Sequence, residues 1–335
     1  MREPQIGGSL YSDRIGAHSG PLQVASDFDK PWPIPPPPPL VWLITGCTSG
    51  LGERLAQHLL ARGDPVVASV RGPDAATKLS ALARAGASVL ELDVTDDQAA
   101  IQAAADAAIA VHGRVDVLVN NAAFLAVGIF EDLEYKDYLA QFETNVLGAI
   151  MVTKALLPHM RERRSGTVIF IGSRAGWIGD GGVSPYCGSK SALGGIAEAL
   201  HNETETQHLG LRTLLVEPGR FRTKLLSAGN RQAATSKFPE YAELSQELIQ
   251  HLAEEDQAQQ GDPDKLVRIL VDMVRREGCA AGKEVPFRLP IGVDMVADVR
   301  EKCESTLALL RGVGAGACGH GLWFLSSSEV MGTGD

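Results

Sequence analysis

The sequence predicts a single α/β domain: a doubly wound parallel sheet with helices on both faces. Two observations carry that expectation. From residue 40 onward, short runs rich in β-branched and apolar residues alternate with longer stretches of helical periodicity. Alternating strands and helices imply parallel strands joined by crossovers. The strand-like runs are also nearly continuous in apolar residues, the pattern of strands covered on both faces. Right-handed crossovers then lay helices on either side of the sheet.

Residues 1–39 precede this pattern. They are rich in Gly, Pro, Ser and Asp and end in an unbroken proline run at 35–39. Such a stretch buries too little surface to offset its ordering entropy. It reads as a disordered arm stiffening into polyproline II, with a proline-rich recognition ligand as the functional alternative. Strands are expected at 40–45, 65–70, 87–92, 115–119, 167–172 and 211–217, and helices at 50–62, 74–85, 96–112, 135–160 and 185–209. The alanine-rich stretch 99–111 suits a helix packed closely on the sheet. After Glu217 the pattern loosens. A polar helix is expected within 224–262, another over 263–277 opened by Asp262 and Pro263 as cap and first-turn proline, and a last one over 293–311. The domain so read spans 40–311, and a Gly- and Ser-rich tail, 312–335, follows.

Composition narrows the function classes. The chain has 335 residues, 44% of them hydrophobic, and a formal charge of −10. That balance argues against a nucleic-acid partner, which wants a basic face; Arg161, Arg163 and Arg164 read as a solvated helix end. Five cysteines without a CxxC pair argue for a reducing compartment and against a disulfide framework or zinc site. No apolar run reaches the ~18 residues that span a bilayer, and no secretory signal is visible. The expected location is cytoplasmic.

The first expected strand runs into Thr45-Gly46-Cys47-Thr48-Ser49-Gly50-Leu51-Gly52, with a helix behind it. Glycines there permit positive φ and close approach of a ligand, and the helix N-terminus offers free N–H groups to a pyrophosphate. Tyr186 and Lys190 stand four apart in a helical stretch, on one face. An ammonium close to the phenol would lower its pKa from ~10, fitting it to act as acid or base. Ser173, at a strand end, can polarise a substrate oxygen.

The spacing Thr-Gly-x-x-x-Gly-x-Gly resembles the short-chain dehydrogenase/reductase family, and further matches follow in that family's order. Asp93 in Leu92-Asp93-Val94 falls where the family holds the adenine. Asn120-Asn121-Ala122-Ala123 matches an Asn-Asn-Ala-Gly motif, with Ala123 in place of the glycine. Asn145, Ser173, Tyr186 and Lys190 match the catalytic positions. Pro218-Gly219-x-x-x-Thr223 matches the motif that contacts the nicotinamide carboxamide. The resemblance covers about 40–311 and implies a Rossmann-like fold. It implies that Thr45, Gly46, Ser49, Gly50, Leu51, Gly52, Arg71, Asp93, Val94, Asn120, Tyr186, Lys190, Pro218, Gly219, Phe221 and Thr223 hold a dinucleotide. It further implies that Lys190 holds the nicotinamide ribose and that Asn145 steadies a helix kink and a water leading to Lys190. The second expected strand ends in Val70, which cannot accept from ribose hydroxyls, and Arg71 follows. A guanidinium suits a 2′-phosphate, so NADP(H) is favoured over NAD(H).

The resemblance is closest to fungal-type and hydroxysteroid or retinol dehydrogenase-like members, partly through Arg288-Leu289-Pro290-Ile291-Gly292, and such enzymes often serve secondary metabolism. It implies a lid over the substrate at 219–262 and a homo-oligomer built on the helices near 135–160 and 185–209. The lid's Phe221, Leu225, Leu226, Phe238 and Tyr241 suggest a lipophilic ketone or secondary alcohol. His159, His201 and His208 read as surface or helix-end residues, and Cys187 as a buried neutral thiol. The expected function is an NADP(H)-dependent carbonyl reductase. One alternative is the same catalyst in the oxidative direction. Another is a non-catalytic dinucleotide sensor or scaffold, which would need none of Ser173, Tyr186 and Lys190.

Overall fold

The computed structural model describes residues 38–315, with side chains to residue 311. The expected proline-rich arm, but for its last two residues, and the tail beyond residue 315 lie outside the described residues. In chain order the elements are β1 (Trp42–Ile44), α1 (Gly50–Ala61), β2 (Val66–Val70), α2 (Ala75–Lys78), α3 (Ser80–Arg84), β3 (Ser88–Glu91), α4 (Gln98–His112), β4 (Val117–Asn120) and β5 (Leu125–Val127). Then come α5 (Tyr135–Phe142), α6 (Ala149–Arg163), β6 (Gly166–Ile171), α7 (Ser184–Thr206), β7 (Leu211–Pro218), β8 (Arg231–Ala233), α8 (Ala242–Glu255), α9 (Pro263–Arg275), β9 (Arg288–Ile291) and α10 (Val293–Ala315).

The main sheet has the order β3-β2-β1-β4-β6-β7-β9, and every neighbour in it is parallel. Successive side chains of a strand point to opposite faces, so each central strand feeds two cores. Trp42 and Ile44 pack with Leu55, Leu59 and the Leu266–Val274 face of α9 on one side. Leu43 packs with Ile101, Val152 and Leu156 of α4 and α6 on the other. This two-sided burial is why β1 is apolar at every position. The winding reverses between β1 and β4, opening a crevice at the strands' carboxyl ends, where ligands bind in such sheets.

Several elements differ from expectation for identifiable reasons. The helix expected over 74–85 breaks at Leu79, where the backbone (φ −108°, ψ 22°) leaves the helical region as the side chain enters the core. The helix expected over 135–160 is interrupted by a π-helical turn, Glu143–Gly148. There a Cβ on Gly148 would stand 2.7 Å from Val94 Cγ2, so only glycine lets this turn close on the cleft wall. Residues Arg288–Ile291, outside the expected strands, form β9. It carries Pro290, tolerated because β9 is an edge strand bonded to β7 alone. The pair β5–β8 joins the segment after β4 to the chain beyond β7.

Arg163 is not merely a solvated helix end. Its Nη2 lies 2.7 Å from Asp116 Oδ1, and Arg114 Nε lies 2.9 Å from Oδ2. Asp116 also accepts the Val41 amide at 2.9 Å. Burial pushes its carboxyl upward, but that amide and the two guanidinium groups outweigh it and hold the pKa below the usual range. The charge cluster thereby pins the start of β1 to β4.

Helix α4 begins at Asp97, whose side chain accepts the Ala100 amide at 2.9 Å. Asp97→Ala is expected to lower stability by about 1 kcal/mol, and Asp97→Asn by much less, as read from urea denaturation midpoints.

Candidate active site

A cleft of about 540 Å³ runs along the carboxyl ends of the sheet. Its floor begins at the turn between β1 and α1. Gly46 and Gly50 have φ of +72° and +64°, left-handed values that favour glycine. A Cβ on Gly52 would meet Gly46 O at 2.6 Å, so this glycine lets α1 pack against the turn. Thr45 Oγ1 accepts the amides of Asn121 (2.9 Å) and Ala122 (3.0 Å), and Asn121 Nδ2 donates to the carbonyls of Thr45 and Gly46. The turn and the loop after β4 are thus clamped together.

Gly46, Ser49, Gly50, Leu51, Arg71, Asp93, Val94, Ser173, Tyr186, Lys190, Pro218, Gly219, Phe221 and Thr223 all line this cleft. Thr45, Gly52, Asn120 and Asn145 do not; they stand behind its wall. Asn120 turns away and donates to Thr153 Oγ1 on α6 at 2.9 Å, while its neighbours Asn121, Ala122 and Ala123 face the cleft. The alternation of a strand explains the difference, since adjacent residues at its end point opposite ways.

At one end of the cleft, Asp93 Oδ1 accepts the amide and hydroxyl of Thr95 at 3.0 and 2.8 Å. Arg71 is exposed. Its carbonyl accepts Lys78 Nζ at 3.0 Å, and its guanidinium enters no ion pair among the described residues.

At the other end, Ser173 stands two residues past the end of β6, and Tyr186 and Lys190 lie one turn apart on α7. Tyr186 is 7% and Lys190 4% exposed. Lys190 Nζ donates to Ile171 O at 2.7 Å and stands 5.7 Å from the centre of the Tyr186 ring. Burial pushes the phenol up to about 12, against a hydrogen bond with Ser173 that lowers it. Burial pulls the Lys190 amine down to about 8. The expectation that the ammonium acidifies the phenol is therefore corrected: desolvation governs both groups, and the amine is engaged with a carbonyl.

Asn145 sits inside the π-helical turn, at the interruption the resemblance implied. Its Oδ1 accepts the Phe124 amide at 3.3 Å and its Nδ2 donates to Ser189 Oγ at 3.3 Å. Ser189 in turn donates to the Tyr186 carbonyl at 2.8 Å. Asn145 thereby fixes the backbone that carries Tyr186.

The chain after Pro218 contributes part of the cleft's lining. Phe221, Leu225 and Leu226 line it, but Phe238 and Tyr241 do not. Those two rings meet edge to face at 6.2 Å, and Tyr241 donates to Glu131 at 2.8 Å. In their place Leu248, His251, Leu252 and Glu255 line the cleft from α8. Their spacing marks one helical face, a signal present in the sequence but masked by the polar surroundings. His159 accepts the Val115 amide at 3.3 Å, and His201 stacks on Phe287 at 4.7 Å. Cys187 accepts the Asp180 amide at 3.4 Å, and burial raises its pKa.

The donor set suits a nicotinamide dinucleotide: a glycine turn that side chains would block, a helix N-terminus, and an amine beside a phenol. No helix among the described residues is long and apolar enough to cross a membrane.

Comparison with known proteins agrees. Residues 40–234 match the short chain dehydrogenase family. The chain is 32% identical over 257 residues to oxidoreductase BOA17 of Botryotinia fuckeliana, covering 76% of this chain and 90% of that one. It is 31% identical over 254 residues to a 3-ketodihydrosphingosine reductase of Bacteroides thetaiotaomicron, covering 76% and 88%. A solved short-chain dehydrogenase from Streptomyces avermitilis is 35% identical, with a TM-score of 0.71 over 83% of this chain and 97% of that one. Motif order, Rossmann-like sheet and these matches agree that the chain belongs to the short-chain dehydrogenase/reductase superfamily, whose members are NAD(P)(H)-dependent oxidoreductases working between a carbonyl and an alcohol.

Proposed function

We propose that the chain is an NADP(H)-dependent reductase of a lipophilic ketone, with Ser173, Tyr186 and Lys190 as its catalytic group. The single observation that carries this reading is a phenol held neutral by burial, bonded to Ser173, at the wall of the cleft. Ser173 orients the substrate oxygen, and Tyr186 delivers a proton to it as the carbonyl becomes an alcohol. Lys190 supplies positive charge behind the phenol. A bound nicotinamide supplies the hydride. Leu125, Val183, Leu225, Leu226, Leu248 and Leu252 give the substrate end its apolar walls. The Bacteroides relative is named for a lipophilic ketone too. Residues 219–262 serve as the lid. The preference for NADP(H) rests on Arg71. Exposed Leu139 and Leu147 support self-association through α5 and the turn that follows it.

A phenol raised to about 12 keeps its proton near neutrality, the form that a proton donor to a ketone needs, while the net direction follows from the cofactor ratio and the ketone–alcohol equilibrium. The test is turnover of NADPH with a panel of apolar ketones, followed by a pH profile on the best of them. The dependence of kcat/KM on pH reports groups of the free enzyme. Lys190 is charged below about 8 and neutral above it, while Tyr186 keeps its proton throughout. Reduction is therefore expected to decline as pH rises through that value. Tight NADPH binding without turnover of any ketone would favour the sensor reading instead.

A further inference from the structure

We propose that the side-chain amide of Gln259 hydrogen-bonds the carboxamide of the bound nicotinamide; the inference rests on the dinucleotide reading of the cleft. Gln259 is 6% exposed and lines the cleft, yet its Oε1 is buried without a partner among the described residues. A buried amide end left unpaired is costly, so the position is one that a ligand would satisfy.

The backbone around it is held firmly. Arg222 Nη1 donates to the carbonyls of Gln259 (2.8 Å) and Gln260 (3.0 Å). Gln257 Nε2 donates to Thr223 O at 2.8 Å. The Gly261 amide donates to Arg220 O at 3.0 Å, and the Arg222 amide donates back to Gly261 O at 3.0 Å. Residues 257–261 are thus strapped along 220–223, directly after Pro218 and Gly219. Thr223 in turn reaches the glycine turn, since a Cβ on Gly50 would stand 3.5 Å from Thr223 Cβ. The strap therefore holds Gln259 on the cleft beside the segment that follows Gly219 and reaches the glycine turn.

The chemistry of the amide selects the ligand group. A primary carboxamide offers an N–H and a carbonyl together, so it complements whichever end of Gln259 faces it. A phosphate only accepts, and would leave the Gln259 carbonyl unpaired.

The test uses Gln259→Met, which keeps the side-chain length and removes the amide. Dissociation constants are measured by calorimetry for NADPH and for 2′,5′-ADP, which lacks the nicotinamide half. NADP+ is also compared with its acetylpyridine analogue, in which a methyl replaces the carboxamide nitrogen. The variant is expected to bind NADPH about three- to tenfold more weakly, the range of one net hydrogen bond, and 2′,5′-ADP as wild type does. The wild-type preference for NADP+ over the analogue is expected to shrink by a similar factor. Equal weakening for NADPH and 2′,5′-ADP would assign Gln259 a purely structural role in the strap and overturn the proposal, as would unchanged NADPH binding. Should the methionine variant not fold, Gln259→Glu puts the same measurements to the isosteric acid, which cannot donate. Wild-type protein that binds neither NADPH nor NADH would instead sink the dinucleotide reading itself. Should NADH prove the tighter ligand, the pair becomes NADH and ADP.

Discussion

Tyr186→Phe is expected to lower kcat for ketone reduction by about 10²- to 10⁴-fold, the contribution of a positioned general acid, while NADPH affinity stays nearly unchanged. The substitution removes one oxygen and leaves the ring to fill the same buried space, so packing around α7 is preserved. What disappears is the proton donor. The phenol is neutral over the whole working range because burial lifts it to about 12. Ser173 can still hold the substrate oxygen, but its hydroxyl is a far weaker acid than a phenol. The measurement is NADPH consumption at saturating ketone beside a fluorescence titration of NADPH. Equal turnover in wild type and variant would remove Tyr186 from the mechanism. A parallel loss of NADPH affinity would show that the substitution disturbs the cleft instead of the chemistry.

Much of the fold was legible because its central strands are covered on both faces. Burial of Trp42, Leu43 and Ile44 on two cores demands an apolar run, and such a run is readable in one dimension. What escaped lies where burial is one-sided or brief. The edge strand β9 tolerates Pro290 and so does not look like a strand. The pair β5–β8 is three residues a side, too short for any periodicity. In the site, the residue types at the turns were legible, but the direction in which each side chain points was not. Asn120 and Asn121 are adjacent and chemically identical, yet one bonds Thr153 behind the sheet and the other clamps the glycine turn. Ser173, Tyr186 and Lys190 could be found by spacing, whereas their protonation could not. That depends on how deeply α7 sinks into the cleft wall, a property of the packed molecule. The same holds for α8, recognisable as a polar helix but not as the element that turns Leu248, His251 and Leu252 onto the cleft.

Arg71→Ala is expected to weaken NADPH binding by about 1.5–3 kcal/mol, roughly 10- to 150-fold, the scale of hydrogen bonds to a charged group, and to leave NADH binding almost untouched. The argument starts at the end of β2. The Val70 side chain has no atom to accept from the ribose hydroxyls, so the acidic side chain by which such folds select NAD is missing from this position. Arg71 comes next, on the cleft wall, with no carboxylate of this chain paired to its guanidinium among the described residues. A 2′-phosphate would find there a planar fork able to bind two oxygens at once. Lys78, held 3.0 Å from the Arg71 carbonyl, keeps some positive potential after the substitution, so affinity falls without vanishing. Because Arg71 is exposed, the loss should be largest at low ionic strength and shrink as salt screens the phosphate. Arg71→Glu should go further and turn the preference toward NADH, since a carboxylate repels the phosphate and accepts from the free ribose hydroxyl. Calorimetric titration of both cofactors at two salt concentrations reads all of this. A ratio of NADPH to NADH affinity that is the same in wild type and Arg71→Ala would place the selection elsewhere along the cleft.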